Sequence, residues 1–408
     1  MSHTRGNLAA LQAYALGRNL MFVVPVLVPF WRANGLSMTE LMALQSYFSV
    51  VSVALEVPTG WLADRWGRRA SLLLGLVALC AAVAVYGVGH GLAAFLLAET
   101  CFGLGHALTS GADVALLHDS LHAAGRVAEY PRRFARYQAV QLAAGATSSA
   151  IGGLCFAQDP RAAWWLTLAA LLLALWPAWR LVEPLHGGRD GDKGGATTPI
   201  ARSIDNPAPG PAGRRAVAGL LLLGALTWGG NRAAQWLMQP YFEHAGWTLA
   251  SFGLLLAAGM GVAAAASRGS AALLQRLGAT RLAGTLLLAS AGTFAALAAA
   301  APHAAWAGWV GLAALAVQQA VAGCVMTLYT TLFNQHLPAA WRATGLSLQS
   351  LAGMAVYAAI IPLLGAVADA RDLSAALALL ALLLVAGFVP LARLARPALR
   401  GHAAGTTH

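Results

Sequence analysis

Apolar residues run along this chain in blocks of about twenty, and polar residues gather in the gaps between them. A block of that length, coiled as a helix, matches the thickness of a bilayer's hydrocarbon core. Twelve such blocks stand out, at 8–31, 39–62, 71–89, 92–117, 137–157, 162–182, 216–240, 248–268, 282–301, 305–334, 344–367 and 373–393. The fourth and tenth are long enough to extend beyond the membrane. Most of the polar residues inside blocks fall in the first, fourth, seventh and tenth. The pattern lapses once, from Glu183 to Arg215, where Gly, Pro, Asp and Arg follow one another without helical periodicity. That stretch has the composition of a flexible linker. The expected architecture is therefore an all-α membrane protein whose 12 transmembrane helices form two pseudo-symmetric six-helix bundles. Its expected divisions are an N-terminal bundle at 1–183, a linker at 184–215, a C-terminal bundle at 216–395 and a tail at 396–408.

Composition strengthens that picture. The chain is 59% hydrophobic and 10% charged, whereas a soluble surface needs about 25% charged residues. A net charge of +11 raises the question of nucleic acid, and the positions of the charges answer it. With both termini inside, 21 of the 26 basic residues fall on the cytoplasmic side. Arg32, Arg161 and Arg371 lie outside, and Arg18 and Arg232 lie within blocks. Such a bias sets topology, so the expectation is a multi-pass protein of the cytoplasmic (inner) membrane with both ends in the cytoplasm and no nucleic-acid partner. The run Arg132-Arg133-Phe134-Ala135-Arg136 reads as a topology anchor attracted to anionic lipid. Cys80, Cys101, Cys155 and Cys324 all sit in apolar runs without CxxC spacing, which fits neither a disulfide framework nor a zinc site. The first block has no cleavage site after it and reads as a retained helix.

The halves repeat weakly at an offset of 211 residues. Pro29-Phe30-Trp31 aligns with Pro240-Tyr241-Phe242, Gly35 with Gly246, Ser37 with Thr248, Arg65 with Arg276 and Gly67 with Gly278. Their shared register points to duplicated six-helix halves related by an axis along the membrane normal. That plan places substrate between the halves, near the midplane.

Residues 60–69 read Gly-Trp-Leu-Ala-Asp-Arg-Trp-Gly-Arg-Arg. This resembles the loop motif G-x-L-a-D-r-x-G-r-[KR] of the major facilitator superfamily, and it falls between blocks two and three, on the cytoplasmic side, where that family has it. Glu56-Val57-Pro58-Thr59 resembles a variant found in bacterial efflux members. The resemblance implies a set of inside-gate residues: Gly60, Asp64, Arg65, Gly67, Arg68, Arg69 and Asp119. Gly60 and Gly67 would permit a tight turn and close helix approach. Asp64 would face the positive N-terminus of span eleven, near Ala343-Thr344-Gly345, and Arg68 would pair with Asp119. In the second copy, Leu273 to Arg281, Gln275 replaces the acid, so the lock is expected to be asymmetric.

Ionisable residues inside hydrocarbon are costly and mark function. In span four, Glu99, His106 and Asp113 recur every seven residues, which on one continuous helix places them on nearly one face. Such a line would relay protons, histidine titrating near neutrality; the alternative is that these groups satisfy neighbouring helices. Drug–proton antiporters of the superfamily carry R-x-x-q-G-x-g in span four; Glu99 to Gly105 keeps the glycines and has Glu at the Arg position. Of the span-five antiporter signature, Gly145, Gly152 and Gly153 remain. Arg18 in span one and Arg232 in span seven are intramembrane cations suited to a substrate anion or a carboxylate. Snorkelling of Arg18 to the inner surface is the alternative. Asn231, Gln235, Trp236 and Gln239 surround Arg232 in a mixed polar and aromatic stretch that reads as a cavity wall. Tyr14, Asn19, Gln141 and Gln319 are further lining candidates, with Gln138, Gln318 and Tyr329 beside them; many of these would equally bridge helices.

The expected activity is secondary active transport: proton-coupled export of a small organic molecule by alternating access, as in bacterial drug/proton-antiporter-type efflux members. Siderophore export, small-anion uptake and a non-transporting membrane sensor on the same fold are the alternatives. No GxxxxGK[ST] pattern is present. No enzyme activity, cofactor or metal is expected, and the partners are a small-molecule substrate, protons and the lipid bilayer, with the chain a monomer.

Overall fold

The computed structural model describes residues 2–184, 211–300, 306–337 and 339–404. These form an all-α, multi-pass membrane protein. In chain order the helices are α1 (Ser2–Asn19), α2 (Leu27–Ala33), α3 (Met38–Trp66), α4 (Arg68–Val88), α5 (Gly91–Thr109), α6 (Ala112–Ala123), α7 (Tyr130–Gln158) and α8 (Ala162–Arg180). They continue with α9 (Pro211–His244), α10 (Leu249–Ala299), α11 (Ala307–His336), α12 (Ala339–Ala370) and α13 (Leu373–Ala404). Among the described residues, 10 helical segments are long and apolar enough to cross a membrane. Large apolar side chains stay exposed along them, including Val50, Leu172, Leu173, Trp176 and Leu382. Exposed apolar surface on that scale needs lipid as its solvent.

The helices depart from the twelve blocks in instructive ways. Span one is two helices: α1 stops at Asn19, and a 3₁₀ turn at Val24–Val26 precedes α2. Asn19 ends α1 by donating its side-chain amide to the Ala15 carbonyl at 2.8 Å. Gly152 of α7 lies against this break, where a Cβ would collide with the Phe22 carbonyl oxygen. Span four is broken as well. Ser110 is extended and Gly111 adopts φ 73°, so α5 and α6 are separate. The blocks at 248–268 and 282–301 merge into the 51 residues of α10, interrupted by non-helical Gly278. Most of the linker expected at 184–215 lies outside the described residues, but Pro211–Arg215 already belong to α9. The expected tail is helical through Ala404.

Residues divide into two compact units. The first holds α1, α2, most of α3 and α4–α8, together with Thr248–Ala257; the second holds the remaining helices together with Ser37–Ala43. The 211-residue register is visible in the backbone of each. Gly35 (φ 85°) and Gly246 (φ 79°) terminate α2 and α9 in the same way. Their amides donate to Arg32 and Glu243, and the next amides, of Leu36 and Trp247, donate to Trp31 and Phe242. Both are the paired capping bonds of a helix closed by a left-handed residue. Gly67 (φ 92°, ψ 153°) and Gly278 (φ 73°, ψ 160°) likewise share one conformation.

In the first unit an aromatic core ties α2, α4, α5 and α8 together. Tyr86 stacks on Trp164 at 4.3 Å and on Phe95 at 4.9 Å, with Phe30 5.0 Å from Trp164. All four rings are buried. Packed aromatic pairs add roughly 0.5–1.5 kcal/mol each beyond their buried area, and here they also hold the Tyr86 hydroxyl in place.

Candidate functional site

That hydroxyl points at Glu99. The Glu99 side chain, 4% exposed, accepts a hydrogen bond from Tyr86 at 2.5 Å and a longer one from the Gln45 amide at 3.4 Å. Tyr86 accepts in turn from the Trp31 indole N–H at 3.3 Å. Four helices thus converge on one carboxyl. Among the described residues no arginine or histidine forms an ion pair with it.

Asp113 has different surroundings. It lies on the first turn of α6, is buried, and accepts from the Tyr137 hydroxyl at 2.6 Å and from the Val114 backbone N–H at 2.7 Å. Tyr14 of α1 lies close to Asp113 and Tyr137, and Arg18 lies close to Tyr14 and Tyr137. Arg18 donates to the Thr109 hydroxyl at 2.7 Å and forms no ion pair with either carboxylate. Its Nε and the Tyr14 hydroxyl are buried without a hydrogen-bond partner among the described residues. Tyr14, Arg18, Thr109, Asp113 and Tyr137 therefore make a second polar cluster, at the break between α5 and α6.

The break corrects the expected proton line. Glu99 and His106 are on α5, but Asp113 starts a new helix after the left-handed Gly111, so the seven-residue spacing no longer sets a shared face. His106 is exposed and meets the Phe48 ring edge-on at 5.8 Å. Asn19 is occupied in ending α1. Gln141 is half-buried on α7, with Gln138 exposed beside it.

In the second unit, Arg232 is exposed rather than enclosed and lies over the rings of Trp228 (5.6 Å) and Tyr357 (5.7 Å). The buried Trp236 donates its indole N–H to the Tyr357 hydroxyl at 2.6 Å. Gln239 is buried, Gln235 and Asn231 are half-buried, and the Asn231 carbonyl oxygen lacks a hydrogen-bond partner among the described residues. Gln319 is half-buried against Gly259, whereas Gln318 bridges helices through Ser290 and Thr293. Arg232 is thus held by two aromatic faces.

At the motif, α3 ends at Trp66 and α4 starts at Arg68. Arg68 forms an ion pair with Asp119 of α6. Arg69 donates to the Trp179 carbonyl at 2.9 Å and lies over that ring, and Arg65 lies over Trp61 at 5.4 Å. Gly67 makes the turn, and its Cα faces Glu183, whose carboxylate accepts the backbone N–H groups of Arg68 and Arg69 at 3.0 Å each. Gly60 is not in the turn. It lies inside α3, and among the described residues a Cβ there would meet nothing within 4 Å. Asp64 is exposed in the last turn of α3; side chains at the expected partner positions 343–344 lie outside the described residues. Sequence reasoning missed Glu183, Tyr86, Gln45, Thr109 and Tyr137. Glu183 stands at the edge of the expected linker, and the other four carry no motif or spacing that singles them out. Among the described residues no group of three His, Cys, Asp or Glu side chains could hold a metal.

The Glu99 and Asp113 carboxyl groups are buried in the helices of a multi-pass, all-α membrane protein. The chain matches the Major Facilitator Superfamily over residues 10–362, and it belongs to that family. It is a transporter-family member and not an enzyme. No curated protein matches it in sequence. Among solved structures, a point mutant of the nucleoside transporter NupG aligns with a TM-score of 0.76 at 11% identity, over 96% of this chain and 99% of that one. The POT family transporter PepTSo aligns at 0.75 and 12%, over 97% and 98%. A bacterial homolog of the human lysosomal transporter Spinster, inward-facing and unoccupied, aligns at 0.69 and 16%, over 98% of both chains. At these identities the likeness is one of fold.

Proposed function

We propose that the protein is a proton-coupled secondary transporter that exports a small organic molecule by alternating access, in the manner of the superfamily's drug/proton antiporters. In this reading twelve spans form two six-helix halves. Both termini face the cytoplasm of a cell whose inner membrane holds the protein as a monomer. The N-terminal half comprises 1–183 and the C-terminal half 216–395, joined by a linker. The observation that carries the reading is Glu99: a buried carboxyl met by neutral donors, Tyr86 and Gln45, with no cation paired to it among the described residues. Burying an unpaired charge costs several kcal/mol, and a proton removes that charge. A group in this position is suited to load and release a proton as the cavity changes sides.

Asp113, with Arg18, Tyr14 and Tyr137 around it, is assigned to polar contact with substrate, and Arg232 on its aromatic faces to the same task in the other half. His106 is a proton route to solvent. Asn19, Asn231, Gln235, Trp236, Gln239, Gln141 and Gln319 complete the candidate lining. Asp64, Arg68 and Asp119 form the inside gate, with Asp64 meeting the start of span eleven.

Proteoliposomes with an imposed pH gradient test the reading. A panel of lipophilic cations, weak acids and siderophores is screened for substrate-dependent proton movement. A substrate that moves protons in wild type and not in Glu99→Gln supports it. Transport indifferent to the gradient overturns the coupling, and no flux with any compound favours a sensor.

A further inference from the structure

The start of α7 concentrates positive charge where a helix is least able to hold it. Arg132, Arg133 and Arg136 occupy its first two turns, and no side chain caps that terminus. The unsatisfied N–H groups there already carry partial positive charge, which favours anions and disfavours cations. One acid is nearby. Glu129 accepts from Arg126 through Nε and Nη2 at 2.6 and 2.8 Å, and pairs with Arg133 at 3.1 Å. Arg132 and Arg136, exposed and four residues apart on one face, have no hydrogen bond or ion pair among the described residues. Like charges at that spacing repel.

These side chains do not splay at random. Arg132, Arg133 and Arg136 together line a cleft of about 270 Å³. Arg133 also borders a second cleft of about 360 Å³, whose other walls are Arg126 and, from α1, Leu8, Ala9 and Gln12. Arginine's planar fork matches phosphate oxygens in pairs. The structure assigns to this double cleft a site for a phosphate-bearing anion, held by Arg132 and Arg136, with Arg133 oriented by Glu129. On the α1 wall, continuous with the arginines through Arg133, Leu8 and Ala9 supply apolar surface beside the Gln12 amide, which suits the glycerol and acyl root of an anionic phospholipid. Its occupancy can be read without any transport assay.

The full-length protein, purified in detergent, is tested by native mass spectrometry and thermal unfolding. The probes are phosphatidylglycerol, phosphatidylcholine and inorganic phosphate. Phosphatidylglycerol is expected to bind at least tenfold more tightly than phosphatidylcholine and to raise the unfolding temperature by several degrees. Arg132→Gln/Arg136→Gln should lose most of that preference. Arg132→Lys/Arg136→Lys, which keeps charge without the fork, should hold an intermediate part of it and serves as the folding control. If inorganic phosphate alone gives the full shift, the cradle stands and its ligand is a free phosphate. Equal binding of the two lipids with no effect of phosphate overturns the site, as does an unchanged preference in the glutamine variant.

Discussion

At the residue scale, the two buried carboxyl groups of span four have separate environments. Glu99 is met by a phenol and an amide; Asp113 is met by a phenol and a helix-start N–H, with Arg18 near that phenol. Substituting Glu99→Gln keeps the shape and removes the proton-binding group. Proton-driven flux should fall at least tenfold, which corresponds to ~1.4 kcal/mol in the barrier, while substrate exchange at equal pH on both sides persists. Loss of both fluxes together would count against a coupling role. Tyr86→Phe leaves the carboxyl in place without its shortest donor and should shift the pH profile of flux rather than abolish it. Glu99 was legible in the sequence because a carboxyl inside an apolar block is conspicuous. Tyr86 and Gln45 were not, since each reaches Glu99 from another helix, nor was Trp31, which meets Tyr86 from a further one. The same is true of Thr109 and Tyr137 around Arg18 and Asp113.

At the element scale, the apolar blocks locate the helices, and two breaks inside them leave no mark on the hydropathy pattern. Residues 20–26 and 110–111 lie within uninterrupted apolar or small-residue runs, so hydropathy has no signal there. The information is in packing: Gly152 admits the Phe22 carbonyl, and Gly111 turns left-handed to start α6. Gly111→Ala would force an alanine into that conformation at a cost of about 1–2 kcal/mol and should lower the unfolding temperature. A more stable variant would mean that α5 and α6 can run on as one helix. Glu183 makes a second case. Its carboxylate is the cap of α4, received across more than a hundred residues of sequence on the Arg68 and Arg69 amides. Glu183→Ala should cost ~1 kcal/mol, seen as a lower melting temperature, whereas Glu183→Gln, which can still accept one bond, should cost less. Arg68 and Asp119 belong to the same corner, and as a partly exposed pair their coupling in a double-mutant cycle should be about 1 kcal/mol or less.

At the scale of the whole molecule, the internal repeat was the most legible feature, because a left-handed glycine is a demand of the backbone that survives divergence of the side chains. Gly35 with Gly246, and Gly67 with Gly278, keep both register and conformation. The helix count was less direct: Arg214, Arg215, Asn231 and Arg232 dilute the hydropathy of α9, and α10 carries two blocks through a single glycine kink. The repeat also isolates Asp64, since its counterpart is Gln275. An acid in the last turn of a helix faces the negative end of the macrodipole, a conflict of roughly 0.3–1 kcal/mol. Asp64 is exposed there, after Pro58 and beside Arg65, so its own helix gains little from it. Asp64→Asn should therefore leave thermal stability unchanged or slightly raised. If Asp64 serves as the gate carboxylate proposed here, the same substitution should cut transport at least tenfold, because asparagine cannot bring a negative charge to the start of span eleven. Flux then falls with no loss of stability, which damage to the fold would not produce. A variant with normal transport kinetics would remove Asp64 from the gate and leave Arg68 and Asp119 as a structural ion pair of the first unit.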